Sequence, residues 1–510
     1  MNKRIAKTSI LLISSIIGLA SCSGAGGNGG GNGSKKEINM WTGFGAAMTT
    51  ALEATLTQYN TAHPEFTIIH TGQGGYDNLL ANIVGSVSTR TYPQLAVAYP
   101  DHMAQYQESS ILFDLTNSLT TLGIDKNNYY QNYLQENLEI VDDKVMGLPF
   151  NKSTEVLTTN TSFVEVLIEM TKNKTGDDKI SGVPATWQDM EKFGVAARAI
   201  LKEKGAYNKV IGADGNVYAT PVAAEQAGTT VKVDLQTVDE NTFRVVSYDS
   251  QANFFITAVR QRGGVYTTIE TLPNGKKQGY MNYKSQETVT MLKFFNRLFR
   301  EKLIGIPATF GEASYTSTPF KAFKTIFTIG SSAGVSNCVP ADDLFKVDVN
   351  PIPYNADKPA NKYVISQGTN LVMFKNSDAE SREYTLNLLK ALSYDAETNA
   401  QFCKASGYIP VTRLAYQSST YQNYLNDSTL TGTADLMRDA VKLNFDTYQG
   451  ASAGWTQYVD PGFVGSSSIR QNIGTVMAEC ENVSEANAAS DDYWLSMLEE
   501  YYRLNPNNVK

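Results

Sequence analysis

The pentapeptide Gly330-Ser331-Ser332-Ala333-Gly334 fits G-x-S-x-G, the elbow on which α/β-hydrolases mount a nucleophilic serine. It follows "TIFTI", an apolar run that reads as a strand. A serine hydroxyl becomes a nucleophile when a neighbouring base, usually histidine, takes its proton. The chain has three histidines, His63, His70 and His102, and all precede Ser332. The hydrolase order of serine, acid and then histidine is therefore excluded. A convergent triad would have to draw on one of those three. Carboxylate pairs at reaction distance cannot be read from spacing, so an exported glycan hydrolase or esterase stays open as an alternative.

Other chemistries find less support. "GQGG", Gly72 to Gly75, lacks the last glycine of a dinucleotide loop, and no G-x-x-x-x-G-K-[ST] occurs, so neither cofactor nor ATP chemistry is expected. Cys338, Cys403 and Cys480 form no C-x-x-C pair, and their pairing is open. Asp342-Asp343 and Asp491-Asp492 read as solvated turns or helix starts, not metal ligands. Sugar sites combine an aromatic platform with polar groups for the hydroxyls. Trp41 and Trp455 sit in glycine-containing, loop-like contexts and are the platform candidates. Trp187 reads as a helix-start core residue and Trp494 as a helix-face residue. The 28 tyrosines suit a carbohydrate site as well.

The elements that must position these residues begin with "MNKRIAKTSILLISSIIGLASC". A basic start and an apolar stretch too short to span a bilayer read as a secretory signal over residues 1–21. Leu19-Ala20-Ser21-Cys22 resembles a bacterial lipobox, which implies lipidation of Cys22 and membrane anchoring. Residues 22–36 are glycine-rich and read as a flexible tether. The chain carries a net charge of -8; removing 1–21 takes away Lys3, Arg4 and Lys7 and no acid, leaving about -11. An acidic surface argues against nucleic acid. The remaining stretch of about 490 residues is too long for one ordinary core, so two lobes are expected.

The body opens with strand and helix in alternation. "EINMW", "FTIIHTG" and "QLAVAY" read as strands, and "MTTALEATLTQYNTAHP" and "YDNLLANIVGSVSTR" as helices with apolar residues at helical spacing. This order predicts an α/β fold with an open, mostly parallel sheet and helices on both faces. Ligands of such sheets bind in the loops beyond the strand carboxyl ends, here Thr42–Ala46, Gly72–Tyr76 and Pro100–His102. "EIVDDKVMGLPF" predicts a hairpin turning at Asp142-Asp143, and residues 206–248 a small β insertion.

Five strings then occur in order: "GLPFNKSTEVLTTN", "PATWQDM", "FKTIFTIGSSAG", "VISQGTNLVMF" and "ASGYIPVTRLAY". Together they resemble the extracellular solute-binding proteins of family 1, receptors of carbohydrate ABC importers, and within them the glycerol-3-phosphate-binding branch. That branch reads P-F-N-S-S-T-P-V-L-Y-Y-N and T-G-Y-L-P-V-T at the matching places. The resemblance implies a two-lobed periplasmic-binding-protein fold with hinge crossings near Pro149–Lys152, Ile329–Ser332 and Gln367–Thr369. Lobe one is then 37–150 with 330–367, and lobe two 151–329 with 368–510.

The resemblance also implies pocket residues. Tyr76 lines the pocket in the related branch; its alternative is a tyrosine packing at a helix start. Ser153 matches the second serine of N-S-S-T, Gly368 a backbone position at the third crossing, and Tyr408 a pocket tyrosine at a turn. Ser331 or Ser332 would donate to ligand at the second crossing. Arg470 matches an arginine able to fork onto a phosphate or two hydroxyls, or else lies on the surface. Asp101 takes the part of an acidic residue, shifted by one place. A tryptophan-rich string of the relatives is missing at "SYDSQANFF", where Tyr248 supplies one ring; this puts glycerol 3-phosphate itself in question. The implied protein is a monomeric, non-enzymatic receptor, anchored to a bacterial membrane with its body outside the cytoplasm, that captures a small carbohydrate-type solute for ABC permease subunits. A surface lipoprotein serving adhesion is the other alternative.

Overall fold

A computed structural model describes residues 35–341, 344–449 and 454–510. The leader 1–21, Cys22, most of the tether and Asp342-Asp343 lie outside the described residues.

The chain begins as the alternation predicts. Strand β1 (Lys36–Thr42) is followed by helix α1 (Ala46–Ala62), β2 (Phe66–Gly72), α2 (Tyr76–Gly85), β3 (Leu95–Ala98) and α3 (Pro100–Glu108). Leu52 and Leu56 bury one face of α1, and Pro64 lies just beyond its end. β1 pairs in parallel with both β2 and β3. The next long element is β4 (Leu148–Asn160), thirteen residues buried throughout. Later strands are β5 (Val246–Tyr248), β6 (Ile304–Gly305), β7 (Phe327–Ser331), β8 (Val347–Asn350), β9 (Lys362–Met373) and β10 (Trp455–Tyr458).

Among the described residues these ten strands form one sheet in the order β6-β5-β7-β4-β9-β3-β1-β2, with β8 beside β4 and β10 beside β9. The two ends of the sheet pair in parallel, while β4 and β9 pair antiparallel with each other and with β7 and β3. The middle is antiparallel because β4 and β9 carry the chain in opposite directions between two bodies. Leu148 and Phe150 of β4 pack in one hydrophobic core, and Val156 and Leu157 in a second. β9 returns the other way, with Val364 and Ile365 in the second core and Leu371 to Phe374 in the first.

The division of the chain therefore differs from the expected one. Val335, Cys338, Val349 and Ile352 pack in the second core, so residues 330–367 stay with lobe two and Ile329–Ser332 is not a crossing. The helices Ala379–Ser393 and Ala396–Ser406 pack in the first core, so the chain after β9 stays with lobe one. It returns through helix α4 (Gly432–Leu443), where Leu436 and Ala440 face the second core and Val441 the first. Lobe two is then completed by β10, helix α5 (Ser466–Asn482) and the helix Asp491–Arg503, whose Trp494 and Leu498 pack in the second core.

Two smaller expectations also change. There is no hairpin at Asp142-Asp143: the preceding residues form the helix Gln131–Leu138 and then a turn, with Asp143 at φ 60°. The insertion is a three-stranded sheet (Val210–Gly212, Val217–Tyr218 and Val231–Asp234), and it also holds a short helix, Pro221–Gln226, whose start Thr220 caps. Val246–Tyr248 belongs to the main sheet instead. Cys338, Cys403 and Cys480 are free and buried, Cys403 in the first core and the other two in the second.

Gly368 of β9 has φ 97° and pairs with Lys152 of β4. A Cβ there would lie 1.8 Å from the Asn151 carbonyl oxygen. Gly368→Ala is therefore expected to cost about 3 kcal/mol or more, because backbone strain and an inescapable clash add. Gly72→Ala meets nothing within 4 Å and should stay within about 0.5–1 kcal/mol. Urea unfolding of the two variants checks the contrast.

Candidate functional site

Between the cores β4 reads Asn151-Lys152-Ser153-Thr154-Glu155, five polar residues at most 2% exposed. Each of the five makes at least one side-chain hydrogen bond, while Asn151 Nδ2 has no partner. The Lys152 ammonium pairs with Glu136 and donates to the Gly368 carbonyl at 3.3 Å. The Thr154 hydroxyl donates to the Ile365 carbonyl at 3.0 Å, and its N–H donates to the Ser332 hydroxyl at 3.2 Å. Ser331 donates to Ser153 at 3.1 Å, and Ser153 donates to the Gln367 side chain at 3.3 Å. Asn151 accepts from Thr369. This polar floor joins β4, β7 and β9.

The floor decides the serine question. Ser332 is fully buried, spends its hydroxyl on a backbone N–H and opens a 3-10 turn. His70 bonds Thr42 and Glu53, His63 faces Glu65, and the His102 ring lies beside Asp101. None of the three histidines serves Ser332 as a base, so the elbow is a structural corner. Among the described residues no group of three or more His, Cys, Asp or Glu is placed to hold a metal.

Lobe one supplies an aromatic wall. Gly74 and Gly75, at φ 73° and 128°, turn β2 sharply into α2 and put Tyr76 at its first position. Tyr99 precedes α3 and meets Tyr76 edge-on, ring centroids 4.9 Å apart. Tyr408 follows Gly407, which ends its helix at φ 76°. The Tyr76 and Tyr408 hydroxyls approach each other and Asn151, and burial raises both phenol pKa values above the usual range.

Lobe two supplies a charged network. Arg470, on α5, donates to Asp460 at 3.1 Å and to Asn253, on the helix Gln251–Gln261. Asn253 donates to Glu155 at 3.0 Å, and Tyr248 donates to the other Glu155 oxygen at 2.5 Å. Burial pushes the Glu155 carboxyl from its ordinary 4.5 up to about 7, against the pull of Tyr248, Asn253 and Arg470. Burial likewise raises Asp460 to about 7, opposed by Arg470. Burial works against the Arg470 charge, yet Asp460, Tyr266 and Asp101 keep it raised above its ordinary value.

The lobes meet directly. Asp101 accepts from Ser467 of α5, and Gln105 donates to the same hydroxyl at 3.4 Å. Gly462 lies against Pro100, where a Cβ would approach the Pro100 carbonyl oxygen to 2.1 Å. The hairpin of Thr267–Thr271 and Lys277–Met281 reaches lobe one through Lys277–Asp142 at 2.5 Å and Lys276–Glu108 at 3.5 Å.

Of the residues singled out from sequence, Tyr76, Asp101, Ser153, Ser331, Gly368, Tyr408 and Arg470 thus lie along this seam, with Ser332 buried beneath it. Trp41 and Trp455 lie in strands and not in loops. Trp41 lies inside β1 and packs half-buried on the lobe-one core. Trp455 starts β10 and packs edge-on against Tyr448 and Tyr354, with centroids at 5.0 and 6.2 Å. Both have glycine neighbours, but sheet pairing overrides that loop signal. Sequence reading missed Tyr99, Glu155, Asn253 and Asp460. Only Glu155, a charge inside an otherwise strand-like run, carried a local signal.

The family model described as "Bacterial extracellular solute-binding protein" matches residues 54–427. The sn-glycerol-3-phosphate-binding periplasmic protein UgpB of Escherichia coli (strain K12) is 21% identical over 394 residues, 76% of this chain and 77% of that protein. The GacH receptor of Streptomyces glaucescens GLA.O, solved unliganded and with acarbose, superposes with a TM-score of 0.63 at 12% identity, covering 93% of this chain and all of that one. UgpB from Mycobacterium tuberculosis in complex with glycerophosphocholine gives 0.62 at 12% identity, covering 92% and 98%. The architecture is that of two-lobed periplasmic binding proteins.

The raised Glu155 carboxyl makes stability depend on pH. The folded chain keeps this proton between pH 4.5 and about 7, where the unfolded chain has lost it. Its contribution is therefore full below the ordinary value and is lost as pH rises through about 7, a fall of about 3 kcal/mol. Glu155→Gln should remove that part of the slope. Urea unfolding across pH 4 to 8 checks this; an unchanged slope assigns the effect elsewhere.

Proposed function

The chain belongs to the bacterial extracellular solute-binding proteins, which are binding proteins and not enzymes, and we propose that it is the lipid-anchored receptor of an ABC importer, capturing a carbohydrate-type ligand between its lobes. One arrangement carries this reading: Tyr99 of lobe one lies within the electrostatic reach of Arg470 of lobe two, and Tyr76 and Tyr408 beside it reach Asn151 of the polar floor between the lobes. Aromatic faces suit the C–H side of a sugar or polyol, and paired hydroxyl, amide and guanidinium groups suit its oxygens. The relatives favour the same class, since acarbose is a sugar-like ligand and glycerophosphocholine a polyol phosphate derivative.

Closure is a consequence of where these groups sit. A ligand touching both walls gains its full contacts only when the lobes meet, so it selects the closed form. The strands β4 and β9 and helix α4 are the connections about which the lobes move. The closed body, a monomer, then docks on permease subunits in the membrane. Among the described residues no helix is long and apolar enough to cross a membrane, and the anchor is assigned to a lipid on Cys22.

A thermal-shift panel on the full chain in detergent tests the ligand class, with acarbose, maltotriose, glycerol 3-phosphate and glycerophosphocholine as probes. A binder at a hundred times its dissociation constant should add about 2.7 kcal/mol to stability. Tyr408→Ala and Arg470→Ala should each weaken that binder about tenfold or more. No shift with any probe counts against transport and for an adhesion role. Cys22→Ser should move the protein from the membrane fraction to the soluble fraction and abolish palmitate labelling; a chain that stays labelled refutes the anchor.

A further inference from the structure

The hairpin of Thr267–Thr271 and Lys277–Met281 is rooted in lobe two, where Tyr266, Met281 and Tyr283 pack in the second core. Its turn reads Leu272-Pro273-Asn274-Gly275-Lys276. Gly275 closes it at φ 77°, and the Asn274 side chain accepts from the Lys276 N–H. Two strands alone make a marginal unit in water. Here other parts of lobe two stiffen them. Asn508 donates to the Gly279 carbonyl at 2.9 Å, and Gln278 donates to the Asn507 carbonyl at 2.7 Å. Lys510 pairs with Glu270 and lies over the Tyr280 ring at 4.9 Å. Phe463 fills the space beside Gly279, where a Cβ would come within 2.0 Å of its ring.

So braced, the hairpin reaches lobe one with charged and hydroxyl groups. Lys277 pairs with one Asp142 oxygen at 2.5 Å, and the Thr271 hydroxyl donates to the other at 3.0 Å. Lys277 also donates to Thr271 across the hairpin at 2.9 Å, and Lys276 faces Glu108 at 3.5 Å. Both acids belong to lobe one: Glu108 ends α3, and Asp142 lies between Ile140 and Val145 of the first core. The hydrogen bonds from Lys277 and then Thr271 hold the Asp142 carboxyl below its ordinary value. Asp142, Lys276 and Glu108 are each more than half exposed. Exposed pairs are screened by salt, and buried ones much less. At Ser467 with Asp101, and at Gly462 on Pro100, the lobes meet without an ion pair.

We propose that this hairpin is a strap that lobe two lays along the flank of lobe one, and that ionic strength sets how firmly it holds. It acts whatever ligand the seam takes. Exposed pairs of this kind shift an equilibrium by about one- to fivefold each, so the strap tunes the balance between open and closed forms and does not lock it. Its three contacts arrive on one stiff unit, so they form and break together.

Interlobe distances test this in a full-length chain carrying Cys22→Ser, Val84→Cys and Val195→Cys. Val84 of lobe one and Val195 of lobe two are exposed, while Cys338, Cys403 and Cys480 are buried, so spin labels go to the introduced thiols. Without ligand, the closed fraction should fall severalfold as sodium chloride rises from about 0.01 M to about 1 M, where the screening length shrinks from about 30 Å to about 3 Å. Lys276→Glu with Lys277→Glu should open the chain at low salt and remove the salt response. Adding Glu108→Lys and Asp142→Lys exchanges the charges and should restore both. A wild-type distance distribution that does not change with salt overturns the proposal. So does an exchanged chain that stays open, because the pairing is then not the cause. If the reversed chains do not fold, as circular dichroism shows, Lys276→Gln with Lys277→Gln decides. That variant should lower the low-salt closed fraction about two- to fivefold, and an unchanged fraction overturns the strap.

Discussion

The polar run Asn151–Glu155 constrains everything else. It sits in the middle of a thirteen-residue buried strand, with apolar residues of one core before it and of another after it. Burying an unpaired amide, hydroxyl or charge costs on the order of 1–3 kcal/mol or more. These residues therefore need partners, and β4 alone has none to give. The partners come from Gln367, Gly368 and Thr369 on β9, Ser331 at the end of β7 and Ser332 just after it, and Glu136 on a lobe-one helix. Meeting that demand places the two long strands antiparallel side by side and holds the serines at the seam.

The same constraint explains why the seam is a place for chemistry of recognition and not of bond cleavage. Lys152 is buried with Glu136, and burial works against its charge while the carboxylate beside it favours it. Breaking such a pair costs about 3–5 kcal/mol, so it works as a fixed part of the scaffold. Glu155 is similarly committed to Tyr248 and Asn253. Through Asn253 that commitment reaches Arg470 and Asp460, so the groups at the surface of lobe two are oriented by a chain of hydrogen bonds rooted in β4. Such support fixes side chains in one geometry and favours selective binding.

Much of this was legible locally. The alternation that builds β1 to α3 depends on short-range periodicity and turn residues, and the observed elements follow it. Tyr76 and Tyr408 sit at glycine-bounded turns, which are visible in a string. What was not legible depends on contacts between distant residues. Asp460 matters because Arg470, ten residues on, bonds it, and Asn253 because it bridges Glu155 to Arg470; no local pattern encodes either. The allocation of residues 330–367 failed for a related reason. A glycine-serine string after a strand is compatible with a crossing or with a corner, and only the burial of Val335 and Cys338 in the second core distinguishes them. Trp41 and Trp455 show the converse, where neighbouring glycines suggested loops and strand pairing prevailed.

The energetics of closure then acquire a direction. Lys277–Asp142 and Lys276–Glu108 span the lobes, but Asp142, Lys276 and Glu108 are all more than half exposed, and such pairs contribute about 0–1 kcal/mol each. Pairs of this strength do little by themselves to hold two lobes together, so contacts that a molecule in the seam makes with both of them weigh heavily in the balance.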